Sequence, residues 1–404
     1  MNAQTRIVFS LWFFLLINYL DRVAISFAGP SIMNSLAIEP AEFGIVLSSF
    51  GIGYMLAQIP GGLLADKIGS RPILIFGPII WACFTGITGL VSTITAFVIV
   101  RVLFGMSEGA TITSIYKTIG DNFEPAKRSR ATAMSLTAIA ISMAFAGPFV
   151  SAIIEAHGWR AIFFWLVIPS LLASVIGMKL LPKHRLVVSN SEDPSTGVES
   201  SYAGLFRMPS LWVLSLAAVA FNIPYWGFIG WMPSYLALER HIEIRSLGML
   251  ASIPYVFGIF GMLLGGWVGT AFHKYCAQII AACFLCAGVA LISAYYVHTL
   301  AFALAGLSGT AFFLFAVMGP LGKVVLDLAP ENQRAAFVGT YNTAGHLSSA
   351  FAPAIIGFMV SLTGTFASGF VLMFASLCVS ALCLLVLSPF TGKDLHKPAL
   401  PNRT

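Results

Sequence analysis

Long apolar stretches alternate with short polar ones along the whole chain. Each is about 20 residues long, which is the length a helix needs to cross roughly 30 Å of hydrocarbon. Twelve such stretches lie near residues 7–27, 44–64, 73–91, 94–117, 131–154, 161–181, 211–237, 247–270, 277–297, 300–322, 335–361 and 366–387. The pattern predicts an all-α membrane protein with twelve transmembrane helices.

The polar stretch from Pro182 to Ser201 divides these helices into two groups of six. We therefore predict an N-terminal bundle (1–181), a cytoplasmic linker (182–210), a C-terminal bundle (211–390) and a cytoplasmic tail (391–404). A weak internal repeat supports the division, because DNFEPAKRSRATAMS in the first half resembles DLAPENQRAAFVGT in the second. Two repeats related by an axis along the membrane normal are typical of transporters.

Composition supports a membrane protein. Hydrophobic residues make up 58% of the chain and charged residues only 9%, whereas a soluble domain has roughly 25% charged residues. Seventeen of the twenty-two Lys and Arg residues fall on one side if the N-terminus is cytoplasmic, which predicts that both termini are cytoplasmic. The net charge of +6 then reflects the membrane surface and not nucleic acid. The six cysteines are best interpreted as packing residues.

Four charged residues interrupt the apolar stretches of the first half. Asp21 and Arg22 are adjacent in the first, and Arg101 and Glu108 lie two helical turns apart on one face of the fourth. One such group at a membrane centre costs about 2.5 to 3.5 kcal/mol on insertion scales. We expect Asp21 to pair with Arg101 and Arg22 with Glu108, so that a substrate carboxylate takes Arg22 once Glu108 is protonated. The alternative is that all four charges only hold helices together.

Polar groups in the second half are further candidates for the substrate site. Asn342 and His346 lie one turn apart on the eleventh span, and Asn222 and Tyr225 lie one turn apart beside Pro224 on the seventh. Polar contacts between helices are the alternative for the first pair, and an ordinary kink with interfacial aromatic residues is the alternative for the second.

The loop after the second span matches the signature G-x-x-x-D-[RK]-x-G-x-[RK]. Together with twelve spans and the half-chain repeat, it makes the chain resemble the major facilitator superfamily. The resemblance implies two six-helix bundles and assigns this loop the role of a conformational latch. The matching residues are Gly62, Asp66, Lys67, Gly69 and Arg71.

A closer resemblance is to the anion:cation symporter family, whose members carry organic anions with protons. The motifs that support it are Asn18-Tyr19-Leu20-Asp21-Arg22, Arg101-x6-Glu108, Gly53-Tyr54 through Gln58-Ile59-Pro60-Gly61-Gly62, Gly158-Trp159-Arg160, and Trp231-Met232-Pro233-Ser234-Tyr235-Leu236.

This resemblance implies roles for individual residues. Arg22 and Tyr54 are expected to hold the substrate carboxylate, and Asn342 to donate a hydrogen bond from the other half. Glu108 and Asp21 are expected to be the protonation sites. The fifth span lacks the glutamine of polyol-carboxylate carriers and the tenth is apolar, which favours a smaller or partly aromatic carboxylate over a hexonate.

The sequence therefore predicts a proton-coupled importer of a small organic anion in a bacterial inner membrane. We expect a monomer without cofactor, metal or enzymatic activity, and without nucleic acid as a partner. The chain has no G-x-x-x-x-G-K-[ST] motif, which argues against an ATP-driven pump. A proton-exchanging exporter of metabolites or drugs and a membrane sensor of anions are the alternatives.

Overall fold

The chain folds into helices that are long and apolar enough to cross a membrane. The computed structural model describes residues 2–183, 202–330 and 333–390, and within these ranges twelve helical spans are present, as the sequence predicts. Most of the predicted linker and all of the predicted tail lie outside the described residues.

Seven helices form the first half, because the fourth span consists of two helices in succession. They are α1 (Ala3–Leu36), α2 (Pro40–Ile68), α3 (Ser70–Thr88), α4 (Ile94–Glu108), α5 (Thr111–Asn122), α6 (Pro125–His157) and α7 (Trp159–Leu180).

The second half repeats this order, with α12 and α13 as the divided tenth span. Its helices are the short α8 (Tyr202–Phe206), then α9 (Pro209–Leu238), α10 (Ile244–Ala271), α11 (Cys276–Tyr296), α12 (Leu300–Ala316), α13 (Met318–Leu328), α14 (Arg334–Thr363) and α15 (Ala367–Leu387).

Local sequence explains where several helices begin and end. The side chain of Asn2 accepts a hydrogen bond from the Thr5 amide at 2.8 Å and caps α1. At the other end of α1, Glu39 and Glu42 form a capping box that starts α2. Helix α1 has 34 residues and is about 51 Å long at 1.5 Å per residue, so it extends beyond the hydrocarbon core.

Glycines bring helices together in the same way in both halves. A side chain at Gly53 or Gly105 would run into the backbone carbonyl of Val102 or Phe50, so α2 and α4 pack backbone to backbone. In the second half, a side chain at Gly265 on α10 would run into the backbone carbonyl of Ala316 on α12. The sequence repeat is thus also a repeat of helix packing.

The two bundles meet along α2 with α14, α6 with α10, and α1 with α9. We call the end of the molecule where α1 begins the terminal face, and the opposite end, where α1 ends at Leu36, the far face. Toward the far face the Ser48 hydroxyl accepts a hydrogen bond from the Ala354 amide at 2.9 Å, and the backbones of Gly147 and Gly248 pack directly together. These contacts close the far face.

The bundles separate toward the terminal face. The rings of Tyr54 on α2 and His346 on α14 still touch, with 5.3 Å between their centroids. One turn closer to the terminal face, Asn342 is exposed although it shares a helix face with His346. Within the described part of the chain, a side chain added at Gly62 on α2 would meet no atom within 4 Å. The structure is therefore closed at the far face and open at the terminal face.

Candidate functional site

A small cavity lies between the bundles, where α1, α2 and α4 face α9 and α14. The space open to the centres of water molecules is about 50 Å³. The polar lining residues of the first bundle are Tyr19, Arg22, Ser26, Tyr54 and Arg101, and those of the second are Trp226, His346 and Ser349. Two arginines thus face the cavity from the first bundle and none from the second.

Arg22 and Glu108 form a buried ion pair beside this cavity, as the sequence predicts. The Arg22 Nε donates to Glu108 Oε2 at 2.7 Å, and the Glu108 residue is fully buried. Glu108 is the last residue of α4, so the break between α4 and α5 follows the carboxylate directly. The other Glu108 oxygen and one terminal nitrogen of Arg22 have no hydrogen-bond partner among the described residues.

Aromatic rings surround the Arg22 guanidinium. Its central carbon lies 4.9 Å from the ring centroid of Tyr19, 5.0 Å from that of Phe50 and 4.7 Å from that of Tyr54. Cation–π attraction of this kind is stronger in a dry site than at a surface. The rings therefore hold Arg22 at the cavity independently of Glu108.

Asp21 does not pair with Arg101, so this prediction was wrong. The Ser170 hydroxyl on α7 donates to Asp21 Oδ2 at 2.9 Å, while Oδ1 has no partner within the described part of the chain. Adjacent helix residues point about 100° apart, so Asp21 turns toward α7 when Arg22 turns toward the cavity. Helix packing decides between the two partners, because α7 lies directly against this side of α1.

Arg101 is buried near the carboxylates of Glu108 and Asp21 but forms no ion pair with either of them. Only 3% of the residue is exposed, and none of the residues that the structure describes forms a hydrogen bond or ion pair with its side chain. Its guanidinium carbon lies 5.1 Å from the Phe50 centroid and 4.9 Å from the Phe104 centroid, and the side chain lines the cavity. It is a buried cation stacked on two rings.

Three of the six predicted substrate residues line the cavity, namely Arg22, Tyr54 and His346. Asn342 lies on the exposed side of α14 and faces the opening at the terminal face.

The other two predicted substrate residues, Asn222 and Tyr225, lie on α9 and are not among the residues that line the cavity. The Asn222 amide donates to the Ala218 carbonyl at 2.9 Å, and Tyr225 packs in an aromatic cluster with Trp226 and Phe315.

The sequence argument missed several polar lining residues. Tyr19 and Ser26 lie three residues before and four after Arg22, and Ser349 lies three after His346, so helical spacing from the two predicted positions would have found them. Helical spacing did not point to Trp226, because the course of α9 at Pro224 decides whether Tyr225 or Trp226 faces the cavity.

The predicted latch lies at the terminal face of the first bundle. Asp66 Oδ1 accepts from Lys117 Nζ at 2.5 Å, and Gly69 has a φ of +85°, which lets the chain turn sharply between α2 and α3. Arg71 donates to the Met178 carbonyl at 3.0 Å, and Lys67 is exposed.

The second copy of the latch differs from the first. Thr270 takes the place of Asp66, and Lys323 pairs instead with Asp327 on its own helix. At these two matched positions, Lys117 of the first bundle pairs with a residue of another helix, whereas Lys323 of the second bundle pairs within its own helix.

The twelve spans, the two matching bundles and the latch sequence together have a counterpart among known proteins, because residues 11–353 match the family model of the Major Facilitator Superfamily. The chain belongs to this superfamily. Its members are membrane transporters and not enzymes, so this member of the superfamily is a multi-pass transport protein.

Named relatives are similar over nearly the full length. The "Hexuronate transporter" of Bacillus subtilis (strain 168) is 27% identical, and the match covers 98% of this chain and 99% of that protein. The "Probable L-galactonate transporter" of Escherichia coli (strain K12) is 30% identical over 90% of this chain and 85% of its own length.

A solved structure shares the superfamily fold. It is a bacterial homolog to the human lysosomal transporter Spinster in an inward-facing and unoccupied conformation, with a TM-score of 0.85, 18% identity, and coverage of 99% of this chain and 100% of the other.

Proposed function

We propose that the chain is a proton-coupled symporter that imports a small organic anion across the bacterial inner membrane by alternating access, with both termini in the cytoplasm. The observation that carries the proposal is the buried ion pair of Arg22 and Glu108 at the cavity between the bundles. The names of the two relatives support an organic anion as the cargo, because both refer to sugar acids.

Ion-pair exchange explains how proton and anion move together. A carboxylate that binds Arg22 through two parallel hydrogen bonds takes the place of Glu108. The Glu108 carboxylate is then left buried without its partner, which is costly unless it takes up a proton. Each ligand thus favours binding of the other, and this coupling is reciprocal.

The substrate site combines groups from both bundles. Arg22 and Tyr54 hold the carboxylate from the first bundle, and His346 faces it from the second. Asn342 lies one turn from His346 and joins the site when the terminal face closes. Asn222 lies one turn from Trp226 on α9, and Asn222 and Tyr225 stay predicted substrate contacts from the second bundle.

With cytoplasmic termini, the terminal face is the cytoplasmic face and the structure is open to the inside. After the substrate has been released to the cytoplasm, this face closes. The latch residues from Gly62 to Arg71 lie at this face. Reopening to the outside requires the far-face contacts of α2 with α14 and of α6 with α10 to separate.

Asp21 is the second candidate protonation site. It lies next to Arg22 in the first bundle, whose other buried cation is Arg101.

Uptake into proteoliposomes tests this proposal. Labelled organic acids are offered with and without an inward proton gradient to the native protein, to Glu108→Gln and to Glu243→Gln, a control that replaces an exposed carboxylate just before α10. We expect the gradient to drive accumulation through the native protein and the control. Glu108→Gln should exchange internal for external anion but not accumulate it, because the amide cannot cycle a proton. Accumulation by Glu108→Gln equal to that of the native protein contradicts the proposal.

A further inference from the structure

We propose that Arg22 and Arg101 together form a two-point anion site, and that its occupant is a short molecule with an acidic group at each end, a dicarboxylate or a sulfocarboxylate. The inference rests on the proposed function, since it names the class of anion that this cavity accepts.

Arg101 provides the first argument. A guanidinium carries five N–H donors, and this one is buried at the cavity wall without a hydrogen bond or ion pair from any residue that the structure describes. A buried guanidinium whose donors lack hydrogen bonds is costly, and the two rings and the more distant carboxylates of Glu108 and Asp21 provide no acceptor for these donors. A bound anion supplies the hydrogen-bond acceptors that the described residues do not offer to Arg101.

Geometry provides the second argument. The guanidinium carbons of Arg22 and Arg101 lie 5.0 Å and 5.1 Å from the centroid of the same ring, that of Phe50. They are therefore at most about 10 Å apart, the sum of these two distances. A short molecule bridges two guanidinium groups at such a distance, and each group suits a carboxylate or sulfonate because its donors form a planar fork.

The opposite wall limits what lies between the two acidic groups. Ile229, Gly230 and Pro353 line it together with the ring of Trp226, and His346 and Ser349 are its only other polar members. A long polyol acid has more hydroxyl groups than this wall has polar groups to meet them, and each unmatched hydroxyl would lose water without gaining a partner.

Charge balance agrees with a dianion. The two arginines and the carboxylates of Asp21 and Glu108 sum to zero in the empty site. Two negative charges enter with the ligand, and Asp21 and Glu108 offer two positions for accompanying protons. A dianion thus uses both arginines and leaves the buried site neutral.

Binding calorimetry of matched acids tests the inference. Native protein in lipid nanodiscs is titrated with acetate and malonate, butanoate and succinate, and gluconate and glucarate. We expect malonate or succinate to bind at least about tenfold tighter than the monoacid of equal length, since the second acidic group gains charge-assisted hydrogen bonds. Glucarate should bind more weakly than the short diacids.

Two variants locate the effect. Arg101→Gln should remove the preference for the diacid and leave the affinity for the monoacid within about twofold of native, because a monoacid needs only Arg22. Lys274→Gln removes one positive charge at an exposed position far from the cavity and should change neither affinity.

Thermal unfolding separates a binding role from a structural one. In Arg101→Gln, stabilisation by succinate should fall to that given by butanoate, while butanoate should stabilise the variant and the native protein equally. A ligand-free Arg101→Gln that unfolds at lower temperature and weakens both kinds of acid equally overturns the inference.

The outcomes also distinguish the two proposals. If monoacids bind and diacids show no advantage in the native protein, the two-point site is wrong and the organic anion transporter stands. If no acid of either kind binds or is transported, the proposed function fails as well.

Discussion

A single hydroxyl determines the surroundings of Asp21. Ser170 on α7 donates to its carboxylate, and among the described residues this is the hydrogen bond that Asp21 receives. The carboxylate thereby faces α7 and forms no ion pair with Arg101. The contact therefore satisfies one carboxylate oxygen in the orientation that helix packing gives to Asp21.

Replacing Ser170 tests this arrangement. Ser170→Ala removes a hydrogen bond to a buried carboxyl group, and such bonds contribute about 1.5 to 3 kcal/mol when one partner is charged. Ser174, one turn along α7, is also buried, but its hydroxyl has no hydrogen-bond partner among the described residues, which makes Ser174→Ala a matched control. We expect Ser170→Ala to lower the thermal unfolding temperature in detergent and Ser174→Ala to leave it nearly unchanged. Equal effects would contradict a bonding role for Ser170.

The sequence predicted one of the two charge pairs and not the other. The position of Arg22 opposite Glu108 followed from helical spacing and from the opposite directions of α1 and α4, which are properties of two helices. The partner of Asp21 depended on a third helix, α7, whose place beside α1 no spacing rule provides. Ser170 is also one of several serines in the apolar spans, so nothing marked it in advance.

At the scale of helices, backbone contact between α2 and α4 positions the cavity. Gly105 allows α4 to approach α2 at Phe50 and Tyr54, and these two rings surround Arg22. The spacing of these helices therefore sets the position of the cation as well as the packing of the bundle.

Alanine substitution at this glycine tests the link. A methyl group at Gly105 would meet the Phe50 carbonyl and lie 2.8 Å from the Tyr54 nitrogen, so Gly105→Ala must push the helices apart. Overpacking of this kind typically costs about 1 to 3 kcal/mol. Gly77 on α3 has no atom within 4 Å of the corresponding position and serves as the control. We expect Gly105→Ala to lower both the unfolding temperature and the anion affinity, and Gly77→Ala to lower neither. If Gly105→Ala folds and binds the anion with native affinity, the close packing of α2 and α4 does not set the position of Arg22 at the cavity.

The number and order of the helices were predictable, but their limits were less so. Twelve apolar stretches mark twelve spans because hydrocarbon demands about the same length from each. Helix α1 begins at Ala3 and not near residue 7, and ends at Leu36 and not near residue 27, because polar residues at a membrane surface continue a helix without adding to its apolar stretch.

At the scale of the whole molecule, alternating access requires the far face to open. Glu155 on α6 and Arg245 on α10 approach across the two bundles, with 3.8 Å between carboxylate oxygen and guanidinium nitrogen, and both are exposed. Exposed pairs of this kind contribute little to stability, so the position can be altered without unfolding the protein.

A reversible cross-link at this position tests the conformational cycle. Glu155→Cys and Arg245→Cys are combined in a chain whose six native cysteines have been replaced, and a short thiol cross-linker joins them. We expect the cross-link to stop uptake and reduction to restore it, while either single cysteine treated in the same way transports normally. Undiminished uptake by the cross-linked protein would show that this contact does not open during transport.

The division into two bundles followed from the central polar stretch and the repeat, but the open side did not. The inward-open and outward-open states of a transporter use the same helices with the same apolar faces. The sequence pattern therefore does not indicate which state the structure shows. The exposure of Asn342 beside a buried Tyr54 became visible only with the bundles in place.

The four charged groups near the cavity all belong to the first bundle, whereas the second contributes an indole, an imidazole, a hydroxyl and apolar groups. The two halves of the chain thus bring different chemistry to one cavity. If the proposed function holds, substitutions at Trp226, His346 or Ser349 change the wall that faces the cargo and leave Arg22, Arg101 and Glu108 in place. Related carriers can then come to differ in cargo through one half of the chain while the charged half is kept.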